Sequence, residues 1–139
     1  MQTWILPLLA LAWAPCAPLA EGCRCLPFTM EEAADRADAV FVATVDSLGT
    51  RADAYGARDV WLRVEGSWKG AAGPEVRVAG NATSCGIRFA PGERYLVFAE
   101  VDAAGTYRTA MCNGTRGIER GAPLPVELGD PAPVGTHRP

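Results

Sequence analysis

The 139-residue chain contains one histidine, His137, and one lysine, Lys69. A single imidazole, placed in a Pro-rich tail, leaves no material for a histidine-based catalytic triad. Positive charge is also short, since 13 Lys and Arg stand against 16 Asp and Glu for a net charge of −3. Such a chain has no basic field to draw in a phosphate backbone or an anionic membrane surface, so nucleic acid is not an expected partner. No Gly-rich phosphate loop and no internal repeat occurs. Glu31 and Glu32 are adjacent helical residues that point in different directions, which is not the geometry of an acid–base pair. The chain is therefore not expected to be an enzyme, and no cofactor or resident metal is expected. What is present, 49% hydrophobic and 21% charged positions, suits one globular domain.

Long apolar runs are missing too. Ile5–Trp13 is nine residues of apolar character broken by Pro7, too short for about 30 Å of hydrocarbon. It reads as the core of a secretion signal, although no Lys or Arg precedes it. Ala20-Glu21-Gly22 then supplies a small-x-small cleavage pattern directly before Cys23. Residues 1–22 are thus expected to be a signal peptide, and no spanning segment follows. Export would place the protein outside the cell, or in the envelope of a bacterium.

Cleavage there would discard Cys16 and keep Cys23, Cys25, Cys85 and Cys112. These show no Cys-x-x-Cys spacing, which argues against a zinc ribbon. An even set in an oxidising compartment predicts a disulfide framework. A bridge within Cys23-Arg24-Cys25 would be strained, leaving two realistic pairings, and either clamps the N-terminal segment onto the rest. Acylation of Cys23 is the rival use of that position, and Glu21 just ahead of it is a poor fit to acylating enzymes.

Thr29-Met30-Glu31-Glu32 matches a capping box, and Met30, Ala33, Ala34 and Ala37 then make one apolar stripe, so a short helix is expected. Strand character follows at Ala39–Val45, Val60–Trp68, Glu75–Ala79, Tyr95–Glu100 and Thr106–Met111. Val60, Leu62 and Val64 alternate with Trp61, Arg63 and Glu65, as a strand with one buried face does. Five short strands are best closed as a partly open barrel, so the expected fold is mainly β, a five-stranded OB-like barrel with one N-terminal helix. The domain should run over 23–121. Residues 122–139 carry five prolines and two glycines and are expected to be a mostly disordered tail.

The start Cys23-Arg24-Cys25-Leu26-Pro27 is followed in order by Ala37-Asp38-Ala39-Val40-Phe41-Val42, Trp68-Lys69-Gly70, Cys85-Gly86, Tyr95-Leu96-Val97-Phe98-Ala99 and Cys112. Together these resemble the netrin-like module that forms the inhibitory domain of tissue inhibitors of metalloproteinases, over Cys23 to about Gly121. The resemblance implies an OB-like barrel and the pairings Cys23–Cys85 and Cys25–Cys112. It also implies a monomeric, secreted inhibitor of an extracellular zinc metalloprotease. In that family the α-amino group and carbonyl oxygen of the first cysteine, here Cys23, chelate the protease's catalytic zinc. A bidentate ligand in the open zinc position displaces the nucleophilic water. The amine must be neutral to donate, and its reference pKa of about 7.7–8.0 lets the metal displace its proton near neutrality.

By the same resemblance Arg24, Leu26, Pro27, Thr83 and Ser84 contact the protease, and the 46–59 connector, with Tyr55 near its middle, is a further variable contact loop. The position of Arg24 usually holds Thr or Ser, because it enters an apolar specificity pocket. A buried unpaired guanidinium costs several kcal/mol, so Arg24 implies a target with an acidic or water-filled pocket. The alternative reading is a non-inhibitory extracellular netrin-like binding module with purely structural cysteines. The family's third disulfide in this domain is absent. Asn81-Ala82-Thr83 and Asn113-Gly114-Thr115 are glycosylation patterns that would matter only in a eukaryotic host.

Overall fold

Thr29 opens the first element by the expected reciprocal cap. Its hydroxyl accepts from the Glu32 amide at 3.1 Å, and Glu32 Oε2 accepts from the Thr29 amide at 2.8 Å. Helix α1 then runs Met30–Arg36. These details come from a computed structural model that describes residues 22–54, 56–70, 73–81 and 83–134. The expected signal up to Glu21, with Cys16, and also Tyr55 and His137, lie outside the described residues.

Strands β1 (Ala39–Ala52), β2 (Arg58–Lys69), β3 (Glu75–Val78), β4 (Arg94–Val101) and β5 (Tyr107–Arg108) follow. β1 pairs antiparallel with β2 and with β4, and β2 does so with β3. β5 joins β4 antiparallel and meets β3 in parallel at Val78 and Tyr107. The circuit β1-β2-β3-β5-β4-β1 therefore closes into the five-stranded, mainly β, OB-like barrel anticipated from the strand pattern. Closure removes the free edges that an open five-stranded sheet would expose.

Two apolar layers hold it. Phe41, Val45, Leu62, Val64, Val76 and Val97 fill the barrel interior. Val40, Leu96 and Phe98 point the other way and pack against Ala33 of the helix and Ala37, which caps its C-terminus. β1 up to Val45 and β4 up to Ala99 are thus covered on both faces, which is why those stretches read as continuous apolar runs. β2 and β3 alternate strictly because their outer faces meet solvent. Trp68-Lys69-Gly70 at the end of β2 ties this layer together. Trp68 Nε1 donates to Gly129 O at 2.9 Å, and Lys69 Nζ reaches Ala34 O and Asp35 O at 3.3 and 3.4 Å, satisfying helix carbonyls. Gly70 has φ +62°, and a side chain there would strike Asp38 O at 2.1 Å.

Two expectations need correction. The polar stretch 46–59 is mostly strand, since β1 continues to Ala52 and pairs with Arg58 at the base of a hairpin turn. Exposed strand residues need no apolar face once the hairpin ladder carries the backbone, so polarity alone misread it as loop. Residues 122–134, expected to be disordered, lie on the barrel. They carry a 3-10 turn at Val126–Leu128 and strand β7 (Ala132–Pro133), which pairs with Gly66 and Ser67 of β2; strand β6 (Arg116–Gly117) pairs with β4. Leu128 and Val134 pack on the two apolar layers, and at Gly66 an added Cβ would meet Pro131 at 2.9 Å. Prolines cannot extend a ladder, but they can border one from the edge.

Outside the barrel Glu65 links three strands. It accepts from Thr44 Oγ1 at 2.7 Å and from Arg94 Nε at 2.8 Å. Partial burial raises its pKa, but these hydrogen bonds and the Arg94 and Arg63 charges outweigh it and hold the carboxyl below its usual value. The stability it contributes is present above the unfolded carboxylate pKa of about 4.3 and is lost as pH falls through the lowered folded value. Glu65→Gln should therefore melt below wild type at pH 7 and converge with it in acid. A gap that persists undiminished below that range in Tm measurements would contradict the assignment.

Candidate functional site

The segment 22–29 has no helix or strand of its own; covalent bonds position it. Cys23 is joined to Cys85 and Cys25 to Cys112, with Cα separations of 5.0 and 5.1 Å. These bridges, spanning 62 and 87 positions, tie the N-terminal segment to two separate connectors of the barrel. The connectors are themselves joined, because the Met111 amide donates to Cys85 O at 2.9 Å. The two bridges lie against each other, with Cys23 Sγ 3.3 Å from Cys112 Sγ. The sulfurs of Cys23, Cys25 and Cys112 fall within 4.8 Å of one another. Each is committed to a disulfide, so none is a thiolate ready to ligate a metal.

This pinning presents a ridge. Cys23 is half-buried, while Gly22, Arg24, Cys25, Leu26 and Pro27 are exposed. Leu26 is 86% exposed despite being apolar, and Met111 beside Cys112 is also exposed. Neither contributes to the two core layers. The Arg24 guanidinium has no ion pair among the described residues. Phe28, immediately after, turns inward and packs on the helix layer, so the ridge ends where the apolar core begins.

Thr83 and Ser84 lie on the turn that carries Cys85, and both are exposed. The chain bond to Cys85 and the bridge to Cys23 bring them to the same end of the molecule as the ridge. The turn is built by Asn81, whose Oδ1 accepts from the Thr83 amide at 3.0 Å and whose Nδ2 donates to Thr109 O at 3.4 Å. Gly86 closes it, its amide donating to Thr83 O at 2.9 Å. Thr115 of the second sequon is buried, and its Oγ1 accepts from the Phe98 amide at 2.8 Å. Asn81 and Thr115 therefore have structural work in the fold, and the sequon pattern gave no sign of it.

In the connector 79–93 the sequence marks out the sequon at Asn81, the contacts Thr83 and Ser84, and Cys85-Gly86, but not Ile87 and Phe89, which shape the end of the barrel. Ile87 and Phe89 fold inward onto the interior layer, and Phe89 stacks edge-on against Tyr95 with ring centroids 4.8 Å apart. Tyr95 Oη accepts from the Ala90 amide at 3.0 Å and donates to Arg88 O at 3.3 Å. The connector is thus held at both ends, by the disulfide at Cys85 and by Tyr95. The Ile and Phe could have been read as inward anchors from their alternation with Arg88.

What the fold and ridge define is a closed β-barrel with a doubly disulfide-pinned N-terminal segment. No protein-family model matches the chain, and no curated protein does. Among the described residues no helix is long and apolar enough to cross a membrane.

Proposed function

We propose that the mature chain begins at Cys23 and is a netrin-like inhibitor of extracellular zinc metalloproteases, in the manner of tissue inhibitors of metalloproteinases. The observation that supports this is the ridge of half-buried Cys23 with exposed Arg24 and Cys25, fixed at both cysteines to the barrel. A terminus already held in place loses little conformational freedom on binding. With residues 1–22 removed as a signal peptide, the Cys23 α-amino and carbonyl groups chelate the partner's zinc, and Arg24 enters the adjoining pocket. Leu26 and Pro27 extend the contact along the ridge, and Thr83 and Ser84 form its second side. The inhibitor acts as a monomer outside the cell or in the envelope.

Arg24 sets the specificity. An apolar pocket would have to desolvate its charge, whereas a carboxylate in the pocket would pair with it. The test is a panel of secreted zinc metalloproteases that differ in pocket polarity, titrated with the chain starting at Cys23 and with Arg24→Thr. The native chain is expected to inhibit the enzymes with acidic pockets. Arg24→Thr should gain at least about 100-fold against those with apolar pockets, corresponding to roughly 3 kcal/mol of avoided desolvation. If neither chain inhibits any member, the second reading stands, a non-inhibitory binding module with structural cysteines. The exposed, unpaired Arg24 is the observation that favours that reading.

A further inference from the structure

Beside the ridge, the barrel end carries a groove of about 480 Å³ between the β1–β2 hairpin and the connector that follows β3. Its lining includes Leu48, Ile87 and Phe89, all half-buried and packed on the barrel interior. Arg58 and Arg88 also line it, and both are exposed. Elsewhere Arg63, Arg77, Arg94 and Arg108 each have a carboxylate within 3.7 Å. Arg58 and Arg88, like Arg24, Arg36, Arg51, Arg116 and Arg120, have no such partner among the described residues; the carboxylates nearest the groove are Asp59, held by the Gly80 amide, and Asp53 in the adjoining hollow. Two unneutralised cations thus border a hollow of mixed polarity with an apolar floor at Leu48, Ile87 and Phe89, in a chain whose net charge is −3.

We propose that this groove docks a segment of a partner protein in which an apolar side chain sits next to an acidic one. The apolar side chain fills the hollow over Leu48, Ile87 and Phe89, and the carboxylate pairs with Arg58 and Arg88. A guanidinium holds a carboxylate through two parallel N–H···O bonds, which gives such a site direction as well as charge. Both walls are already set before binding. On one side Gly80 lies so close to the hairpin that an added Cβ would meet Arg58 O at 2.6 Å, and its amide donates to Asp59 Oδ1 at 3.3 Å. On the other side Tyr95 holds the backbone at Arg88 and Ala90. A preformed groove loses little entropy when it is filled. The site involves no zinc and does not need the Cys23 α-amino group, so peptide binding to it is read without a protease; its lining does include Thr83 and Ser84, so a protease seated on the ridge would share that turn.

The test uses the disulfide-bonded chain from Cys23 and two blocked peptides, acetyl-Leu-Asp-Phe-Glu-amide and its neutral counterpart acetyl-Leu-Asn-Phe-Gln-amide. Amide resonances of Gly56, Gly80 and Gly86 are followed by NMR during titration at low salt. The acidic peptide should shift them saturably and bind at least about tenfold more tightly than the neutral one. Arg58→Gln combined with Arg88→Gln replaces two exposed side chains and should remove that preference while leaving the rest of the spectrum in place. No saturable shift, equal binding of the two peptides, or a preference that survives the double substitution would each overturn the proposal.

Discussion

Replacing Cys25 and Cys112 together by serine is expected to cost about 4 kcal/mol of stability, as the loss of a bridge across a long loop does in the chain-entropy model. The bridge spans 87 positions, and its removal restores that freedom to the unfolded chain. Domains of this size are stable by only about 5–15 kcal/mol, so the loss is a large share of the total. Both cysteines must be changed at once. Cys25→Ser alone would leave a thiol at Cys112, whose sulfur lies 3.3 Å from Cys23 Sγ. Attack by that thiolate on Cys23 Sγ would form a Cys23–Cys112 bond and release Cys85 as the leaving thiolate. The single variant would then report a rearranged chain. The double variant should keep the barrel circuit, with a lower denaturant midpoint and an unchanged native circular dichroism spectrum. A loss below about 1 kcal/mol would mean that the unfolded chain is already restrained in some other way.

Gly86→Ala is the second large effect. A Cβ at this position would lie 2.1 Å from Asn81 O and 3.1 Å from Thr83 O. Both obstacles are backbone, and neither can rotate aside as a side chain would. The turn must open, which moves Cys85 next door and with it the anchor of Cys23. We expect a loss of roughly 3 kcal/mol or more, at the upper end of single substitutions, together with impaired oxidation to the Cys23–Cys85 bridge. Gly117→Ala is the control, because its nearest neighbour would be Tyr95 Cε1 at 3.7 Å, an ordinary contact. Urea denaturation of the three chains gives the comparison, and a Gly86→Ala chain within about 1 kcal/mol of wild type would contradict it.

The two variants probe parts of the molecule that were unequally visible in the sequence. Thr29 and Glu32 announced the helix because capping is local chemistry, decided within four residues. β2 and β3 announced themselves by alternation, since one face of each meets water. The hairpin beyond Val45 did not, because a solvated ladder stabilises backbone without asking anything of the side chains. The 122–134 segment was misjudged from its prolines. Its order depends on Trp68 and Gly66, more than 50 positions away, which no local pattern reveals. β5 was expected over Thr106–Met111 but spans only Tyr107–Arg108, and Met111–Asn113 turns into a 3-10 helix that carries Cys112.

The site divides in the same way. Cysteine spacing alone left two realistic pairings; the likeness of the motif order to the netrin-like module singled out one, and the bridges observed agree with it. The exposure of Arg24 follows from those bridges, because a segment held at Cys23 and Cys25 has no room to fold its intervening side chain inward. The groove was not legible at all. Arg58 and Arg88 are 30 positions apart in the sequence, and only the approach of Gly80 to the hairpin brings their connectors together.

The central claim is that the Cys23 α-amino group reaches a protease metal, and cobalt(II) placed in the catalytic zinc site of an inhibited protease reads this out directly. Visible d–d bands of cobalt report the ligands that the metal holds. Two chains are compared, one beginning at Cys23 and one with a single alanine in front of it. The account predicts that the first changes the bands at one equivalent and inhibits, while the second does neither. Inhibition with unchanged cobalt bands, or equal behaviour of the two chains, would contradict it.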